Sequence, residues 1–361
     1  MKSTSLLSLT YEQFYTQGRQ AFIKDTGDAK GSGVAGKLYG QYYRTGRWGI
    51  SELGLNQKNQ EIWNNLCDPV LPLSVMRILQ DDPTGEPGTK KAIFRLDDGN
   101  LIETVLVPMV SHTGERGTLC LSSQAGCAMG CTFCETGKGG LVRSLTAAEI
   151  VAQVHAARFL LKWEFTSVVF MGMGEPLDNL EGVIPALKVL ADPRGFALAQ
   201  EKITLCTVGL GEGISQLANL GWKKLGLSLS LNAGRQMLRE SLMPAGKLNT
   251  LEVLKPILAA YPQRRNFVLA LNYCLMPGIN DTEADIQGIV DFSHALGRTL
   301  INLIPYNPGS IPLCPAPTAE EVDRFLVLMQ GAGLQVKMRG PKGRSIMAGC
   351  GQLGGEAPPL P

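Results

Sequence analysis

With 361 residues, 44% of them hydrophobic, the chain can bury one large domain and a smaller one, and a formal net charge of only +2 gives no global sign of a nucleic-acid binder. No run approaches the ~18 apolar residues of a membrane span, and Leu6-Leu7-Ser8-Leu9 is too short for a signal peptide, so no membrane is expected and a cytoplasmic location is. Nine cysteines, three of them crowded between Cys127 and Cys134, do not form a small secreted disulfide scaffold; in a reducing compartment such crowding points to metal binding or catalysis.

Residues 1–75 read as a helical, polar accessory domain with a small apolar set of Trp48, Ile50, Leu53, Leu55, Ile62, Trp63 and Leu66. Residues 76–112 read as a β-hairpin extension. Lys91–Leu96 and Leu101–Val107 are strand-like, and Asp97-Asp98-Gly99-Asn100 between them is a turn signal. Residues 113–353 form the core domain, and 354–361 a tail.

In the core, short strand-like runs alternate with longer helix-like ones. The strands are expected at Thr118–Leu121, Thr166–Met171, Lys202–Cys206, Leu225–Leu231, Phe267–Leu275, Thr299–Ile304 and Leu334–Met338. The clearest helices are Thr146–Trp163, Thr250–Tyr261, Asp281–Leu296 and Thr318–Gly331, with capping boxes at Thr146/Glu149 and Thr318/Glu321. Repeated βα units give an α/β fold with parallel strands and right-handed crossovers. A partial or complete (β/α) barrel suits them; a doubly wound sheet is the alternative. Ligands of such folds lie beyond the carboxyl ends of the strands. The cysteine triplet, Gly172–Pro176, Cys206, Asn232, Asn307 and Cys350 fall there in succession.

Cys127-Ala-Met-Gly-Cys131-Thr-Phe-Cys134 places three thiols at a spacing that can wrap three irons of a cubane and leave the fourth open to a chelating substrate. A structural zinc site wants four ligands, and His112 and His155 have no matching spacing. The spacing, with an aromatic residue before the last cysteine, is the signature of the radical S-adenosylmethionine (SAM) superfamily. The flanking segments Cys120-Leu-Ser-Ser-Gln-Ala-Gly-Cys127, Phe133-Cys-Glu-Thr-Gly137, Met171-Gly-Met-Gly-Glu-Pro-Leu177, Ile301-Asn-Leu-Ile-Pro-Tyr-Asn-Pro308 and Ala348-Gly-Cys-Gly-Gln-Leu353 together resemble the RlmN/Cfr family of RNA methyltransferases. The resemblance runs from about residue 36 to 353 and includes an N-terminal domain that in the family helps to hold RNA.

The resemblance implies a partial barrel, a [4Fe-4S] cluster on Cys127, Cys131 and Cys134, and SAM chelated to the open iron. Reductive cleavage of SAM then yields a deoxyadenosyl radical. By position, Gly174 and Glu175 match the segment that holds the SAM amino group, and Cys206, Ser230, Leu231, Asn232 and Asn307 match its other contacts. Cys350 matches a cysteine that is itself methylated and links covalently to the base. Cys120 matches the thiol that pairs with it to release product, and Glu103 matches the proton acceptor. The implied reaction is methylation of carbon 2 or carbon 8 of an adenosine in ribosomal RNA, transfer RNA or both. The implied partners are that RNA and a reductase, with the protein a monomer. Without the resemblance, Cys350 and Cys120 read as structural and Glu103 as surface charge. Cys67, Cys274 and Cys314 read as packing or surface residues.

The chain departs from the family's usual pattern in four places. Cys206-Thr-Val-Gly209 stands for Ser-Thr-Ser-Gly, Asn232 for a histidine and Asn272 for a glutamate, and a few extra residues separate Glu103 from Cys120. Lys337, Arg339, Lys342 and Arg344 lie in a run without acidic residues that leads to Cys350, and suit phosphate contacts. Two other readings stay open: a radical-SAM enzyme that uses the same methylcysteine chemistry on another substrate, and a non-catalytic RNA-binding relative.

Overall fold

The computed structural model describes residues 4–81, 88–111, 114–262 and 265–355. The expected boundary at 112–113 and most of the expected tail 354–361 lie outside the described residues.

The N-terminal unit is helical because its apolar residues recur at helical spacing and its helix ends are capped. Strand β1 (Thr4–Ser5) leads into helices α1 (Tyr11–Thr26), α2 (Ala35–Thr45) and α3 (Gln57–Leu66), and β2 (Cys67–Asp68) returns to pair with β1 in parallel. Thr10 and Gln13 make a capping box at the start of α1, and Gly27, at φ +83°, ends it in the left-handed conformation that glycine adopts without strain. Phe14 and Phe22 of α1 pack on Trp63 of α3, with ring centroids 4.8 and 5.6 Å away. The hydroxyls of Tyr39 and Tyr43 donate to the carbonyls of Leu9 and Leu6 at 3.0 and 2.9 Å, so their burial leaves no polar atom unsatisfied.

Ten strands form one sheet in the spatial order β14-β13-β12-β11-β10-β9-β6-β5-β4-β3. Strands β3 (Leu73–Gln80), β4 (Lys90–Leu96), β5 (Leu101–Ser111) and β6 (Gly114–Cys120) are joined antiparallel. A short pair, β7 (Gln124–Gly126) and β8 (Leu141–Ser144), stands outside the sheet. Then come β9 (Ser167–Phe170), β10 (Ile203–Thr207), β11 (Gly226–Ser230), β12 (Leu269–Leu275), β13 (Thr299–Pro305) and β14 (Val336–Met338), parallel to one another and to β6. From β6 onward spatial order follows chain order without reversal. Every crossover therefore steps the same way, which puts the helices on one face of the sheet. A doubly wound sheet needs a reversal point. The fold is the partial barrel, open between β14 and β3.

The remaining helices are α4 (Glu135–Lys138), α5 (Ala147–His155), α6 (Leu180–Ala191), α7 (Gly211–Ala218), α8 (Gln236–Leu242), α9 (Leu251–Ala259), α10 (Glu283–His294) and α11 (Ala319–Gly331). Both expected capping boxes form, at Thr146/Glu149 and Thr318/Glu321. In α6, Val183, Ala186, Leu187 and Leu190 make a buried stripe despite Pro185; Leu187→Ala there costs about 2–5 kcal/mol. The expected helix Thr146–Trp163 is shorter. After His155 the chain widens into a π turn over Ala156–Leu160, with the Leu161 amide donating to the Ala156 carbonyl.

The N-terminal unit packs against this part of the core. The Tyr42 ring stacks on His155 at 4.7 Å, Tyr43 meets Phe196 edge-on at 5.0 Å, and the Tyr11 amide donates to Asp192 at 2.6 Å.

Candidate active site

The ends of β9 to β13 open onto one cavity of about 900 Å³, part of it open to solvent. Each strand contributes to its wall: Phe170 and Met171 from the end of β9, Cys206 from β10, Ser230 from β11, Asn272 and Cys274 from β12 and Ile304 from β13. The cysteine loop closes one side, and Cys350 with Gly351 lies at another.

Local chemistry shapes the cysteine loop. The β7–β8 ladder clamps its base, and the Cys127 amide donates to the Gly140 carbonyl at 2.8 Å. The Cys134 amide bonds the Cys131 carbonyl at 3.1 Å, while the Thr132 amide reaches the Leu242 carbonyl at 2.9 Å and ties the loop to the end of α8. Cys127, Cys131 and Cys134 all face the cavity. Burial pushes the Cys127 thiol up to about 12 and raises Cys131 as well; Cys127 also feels Cys134, and Cys131 feels both Cys134 and Cys127. Such mutual repulsion between would-be anions is what a bound cation relieves. The thiols are gathered round one space without being drawn to metal-ligand spacing among the described residues. Three sulfur donors on one loop beside a roomy cavity fit a cubane cluster with one iron left open.

Opposite the loop, Gly174 sits at φ +96°, and a Cβ there would meet the Gln124 amide nitrogen at 2.8 Å, so only glycine lets the chain turn so close. Gln124 accepts from the Glu175 amide at 2.9 Å. The buried Glu175 carboxylate accepts from the amides of Val208 (2.9 Å) and Leu177 (3.1 Å). Burial still prevails over these donors and lifts its pKa to about 7.

Three of the departures from the family pattern form one patch. Asn272 donates to the Cys206 sulfur at 3.0 Å, Cys206 lies 3.3 Å from the Ser230 hydroxyl, and the Asn232 amide donates to the Asn272 carbonyl at 3.2 Å. Asn302 completes the patch by donating to the Asn272 side-chain oxygen at 2.8 Å. Asn232 is at φ +56°, a conformation asparagine tolerates. Its side chain accepts from the Cys274 amide at 2.9 Å and contacts the Met243 sulfur at 3.0 Å. At Asn232 and Asn272 the chain thus carries neutral amides where the resemblance leads one to expect a histidine and a glutamate, and at Cys206 a thiol in place of a hydroxyl.

Cys350 lies in a segment pinned on several sides. The Glu135 amide donates to the Gly351 carbonyl at 2.7 Å, Thr136 to that of Leu353 at 2.5 Å, and Asn307 to that of Cys350 at 3.2 Å. The Gly354 amide donates to Glu103 at 3.1 Å. Cys350 is exposed, whereas Cys120 is buried at the end of β6. Both are free thiols. Burial raises the Cys120 pKa first and the neighbouring Cys350 raises it further, so the two sulfurs are within electrostatic reach. Burial also raises the Cys350 thiol, and Arg339 opposes the rise.

Of the residues singled out from sequence, Cys127, Cys131, Cys134, Gly174, Glu175, Cys206, Ser230, Asn232 and Cys350 line the cavity. Leu231, Asn307, Glu103 and Cys120 do not. Leu231 is fully buried and offers only its amide, which donates to the Asn272 carbonyl at 3.0 Å. Asn307 holds Cys350 and accepts from Arg344 at 3.1 Å. Glu103 is buried beside the equally buried Lys91, whose ammonium bonds it at 3.2 Å and the Met347 carbonyl at 3.0 Å. Burial raises the Glu103 pKa, and Lys91 and Gly354 oppose it. Cys274, read from sequence as packing or surface, lines the cavity. Lys91 carries no motif that marks it. In the basic run, Lys342 donates to the Pro108 carbonyl at 3.1 Å and Arg344 to Asn307, while Lys337 and Arg339 are exposed.

Comparisons with known proteins agree with this architecture. Residues 121–292 match the Radical SAM superfamily. The chain is 41% identical over 270 residues to the dual-specificity RNA methyltransferase RlmN of Syntrophotalea carbinolica, covering 74% of this chain and 70% of that one. It is 37% identical over 351 residues to a probable dual-specificity RNA methyltransferase RlmN 1 of Protochlamydia amoebophila, covering 97% and 94%. A crystal structure of a radical SAM methyltransferase from Sphaerobacter thermophilus superposes with a TM-score of 0.84 at 31% identity, covering 98% of this chain and all of that one. On these matches the chain belongs to the RlmN family of radical SAM RNA methyltransferases.

Proposed function

We propose that the chain methylates carbon 2 or carbon 8 of an adenosine in ribosomal RNA, transfer RNA or both, with Cys350 as methyl carrier and Cys120 as the resolving thiol. The observation that carries this reading is one cavity bounded by both the cysteine triplet and an exposed Cys350, with a buried second thiol within electrostatic reach. Cys127, Cys131 and Cys134 hold the [4Fe-4S] cluster, which supplies the electron that cleaves SAM when both are bound. Glu175 takes the SAM ammonium, for which a buried carboxylate held by two backbone amides is suited. Gly174 keeps the wall close, and Cys206, Ser230 and Asn232 face the rest of the cofactor. Asn307 positions Cys350, and Leu231 fixes the strand end by its amide.

Carbons 2 and 8 of adenine are electron-poor, so polar methyl transfer is unsuited to them. A carrier thiol avoids that step. Cys350, exposed at the cavity, accepts the methyl and presents its carbon to the base. Glu103 takes the ring proton, and the Cys120 thiolate then bonds the Cys350 sulfur as the sulfur–methylene bond breaks, its electron pair leaving with the carbon, which is protonated to the methyl of the product. An external one-electron donor, a monomeric protein and a cytoplasmic setting complete the reading; among the described residues no helix is long and apolar enough to cross a membrane. The helical unit of residues 1–75 is an accessory RNA-holding domain. The test is mass spectrometry of nucleosides from RNA incubated anaerobically with reconstituted protein, SAM and reductant. A methyladenosine with the methyl on the ring supports the reading, and methylation of any other nucleoside overturns it.

A pH dependence follows from Glu175. Its folded-state pKa lies above the ordinary value of 4.5, at about 7, so the neutral form favours the unliganded fold. That contribution is full below about 4.5 and is lost as pH rises through about 7. SAM binding has the opposite preference, because an ammonium wants the carboxylate. SAM affinity measured by calorimetry is expected to strengthen by up to about tenfold per unit as pH rises toward 7, then level off. Glu175→Gln is expected to abolish the slope and weaken binding at pH 8 by about ten- to a hundredfold.

The charge run makes a separate prediction. Arg339 is exposed and its charge acts on both Cys120 and Cys350, which supports a contact with RNA phosphate beside them. Arg339→Gln is expected to lower the salt slope of RNA binding by about 1, whereas Lys342→Gln, whose ammonium serves the protein, leaves the slope in place.

A further inference from the structure

Arg239, on α8, is fully buried with a charged side chain that no carboxylate pairs among the described residues. One terminal nitrogen, Nη2, donates to the Val208 carbonyl and reaches that of Ser230 at 3.5 Å. The other two nitrogens, Nε and Nη1, are buried without any partner. Gly246 packs so closely that a Cβ there would meet Nη1 at 2.9 Å, so the guanidinium is enclosed on that side as well. A buried, unpaired cation is costly, and one with idle donors more so. Burial lowers its pKa only to about 10, so it is charged at neutral pH.

The surroundings indicate what the charge answers. Val208 and Ser230, which receive its hydrogen bonds, both line the cavity. Cys131 is its largest electrostatic neighbour. The C-terminal end of α8 carries the Leu242 carbonyl to which the cysteine loop is tied through Thr132. The cation therefore stands behind the wall that faces the three thiols, and Glu240 of the same helix acts on it more weakly than Cys131 does.

We infer that Arg239 is a positioning charge for the cluster: through space, it favours the reduced state of the assembly held by Cys127, Cys131 and Cys134. The inference rests on the reading of those cysteines as cluster ligands. With three thiolates bound, the assembly is anionic, and one-electron reduction by a low-potential external donor adds a further negative charge without moving any proton. A fixed buried cation lowers the cost of that added charge. A unit charge about 10 Å away at an effective dielectric of about 20 shifts such an equilibrium by about tenfold. An alternative anion is the carboxylate of SAM, which the same cation could face.

The experiment is a redox titration of reconstituted protein without SAM, with the reduced cluster followed by electron paramagnetic resonance. Wild type, Arg239→Gln and Arg239→Lys are compared at matched iron content. At a fixed potential, Arg239→Gln is expected to show a reduced-to-oxidised ratio about tenfold lower, a shift of about 59 mV for a one-electron couple. Arg239→Lys, which keeps the charge but not the planar hydrogen bonds, is expected to stay within about threefold of wild type, even if the Gln variant loses its iron. An iron-replete Arg239→Gln with an unshifted ratio overturns the proposal alone. Loss of iron in both variants overturns it too, because Arg239 is then structural. Calorimetry separates the alternative: SAM affinity weakened in Arg239→Gln with an unshifted ratio assigns the cation to the SAM carboxylate. A wild-type protein that takes up no iron removes the cluster reading and this inference with it.

Discussion

Cys350→Ala is expected to bind a full complement of iron, leave RNA unmethylated and form no covalent RNA–protein species, whereas Cys120→Ala is expected to accumulate protein crosslinked to RNA. The asymmetry follows from order and from place. Cys350 is exposed at the cavity, where it can accept a methyl and meet a base. Cys120 lies buried at the end of β6, does not line the cavity, and feels Cys350 through space. It can reach a sulfur that has already reacted, but it is not placed to receive substrate. Removing the carrier abolishes the first step, with a loss of about 10³-fold or more, the scale for deleting an essential nucleophile. Removing the resolving thiol leaves carbon–carbon bond formation intact and blocks release. Neither change should unfold the protein. Cys350 is exposed, and replacing Cys120 by the smaller alanine removes only one sulfur from the core. Denaturing gels after anaerobic turnover read the outcome; a crosslink in Cys350→Ala, or identical behaviour of the two variants, contradicts the assigned roles.

The second large effect concerns the triplet. Cys127→Ala, Cys131→Ala and Cys134→Ala are each expected to lose the cluster's absorbance and all SAM cleavage while keeping the circular dichroism of the wild type. The loop is held by backbone bonds, from Cys127 to Gly140 and from Thr132 to Leu242, and its thiols are free in the folded chain. The fold therefore does not depend on these sulfurs, and their removal is expected to show in the metal content and SAM cleavage alone. An iron-replete, active single variant would falsify the ligand assignment.

Much of the core was legible because its signals are local. The apolar runs of β9 to β13 are short, separated by helical stretches and offset from the observed strands by two residues at most. The boxes at Thr146 and Thr318 work through residues three apart, so sequence alone locates them. Strand β3 was hidden for a physical reason. Ser74, Met76, Ile78 and Gln80 are exposed, two of them apolar and two polar, so the residue types do not follow the alternation of the exposed face. Pro185 similarly obscured α6. The expected boundary of the helical unit at residue 75 falls inside Leu73–Gln80, an edge strand of the main sheet.

At the site, nine of the residues singled out by motif line the cavity while Leu231, Asn307, Glu103 and Cys120 do not, and residues whose part depends on burial stay invisible in the sequence. Lys91 stands next to Lys90 in a strand, and nothing in the string says that one ammonium is sealed against Glu103. Arg239 looks like one more basic residue of an amphipathic helix until its burial and idle nitrogens are seen. Asn307 is a different case. It lies in a motif of the family, yet in this fold its side chain is committed to Cys350 and Arg344, which makes it a holder of the Cys350 segment. The departures at Cys206, Asn232 and Asn272 appeared separate in the sequence and prove to be one bonded patch.

The most direct test of the account follows the methyl group. Protein is first loaded with SAM carrying an isotopically labelled methyl, freed of unbound SAM, and then given RNA, reductant and unlabelled SAM for a single turnover. If Cys350 is the carrier, the label leaves Cys350 and appears on the adenine ring of the product, as read by mass spectrometry of the Cys350 peptide and of the digested RNA. Product that carries only unlabelled methyl, with the label still on Cys350 or never there, would contradict the carrier role on which the account rests.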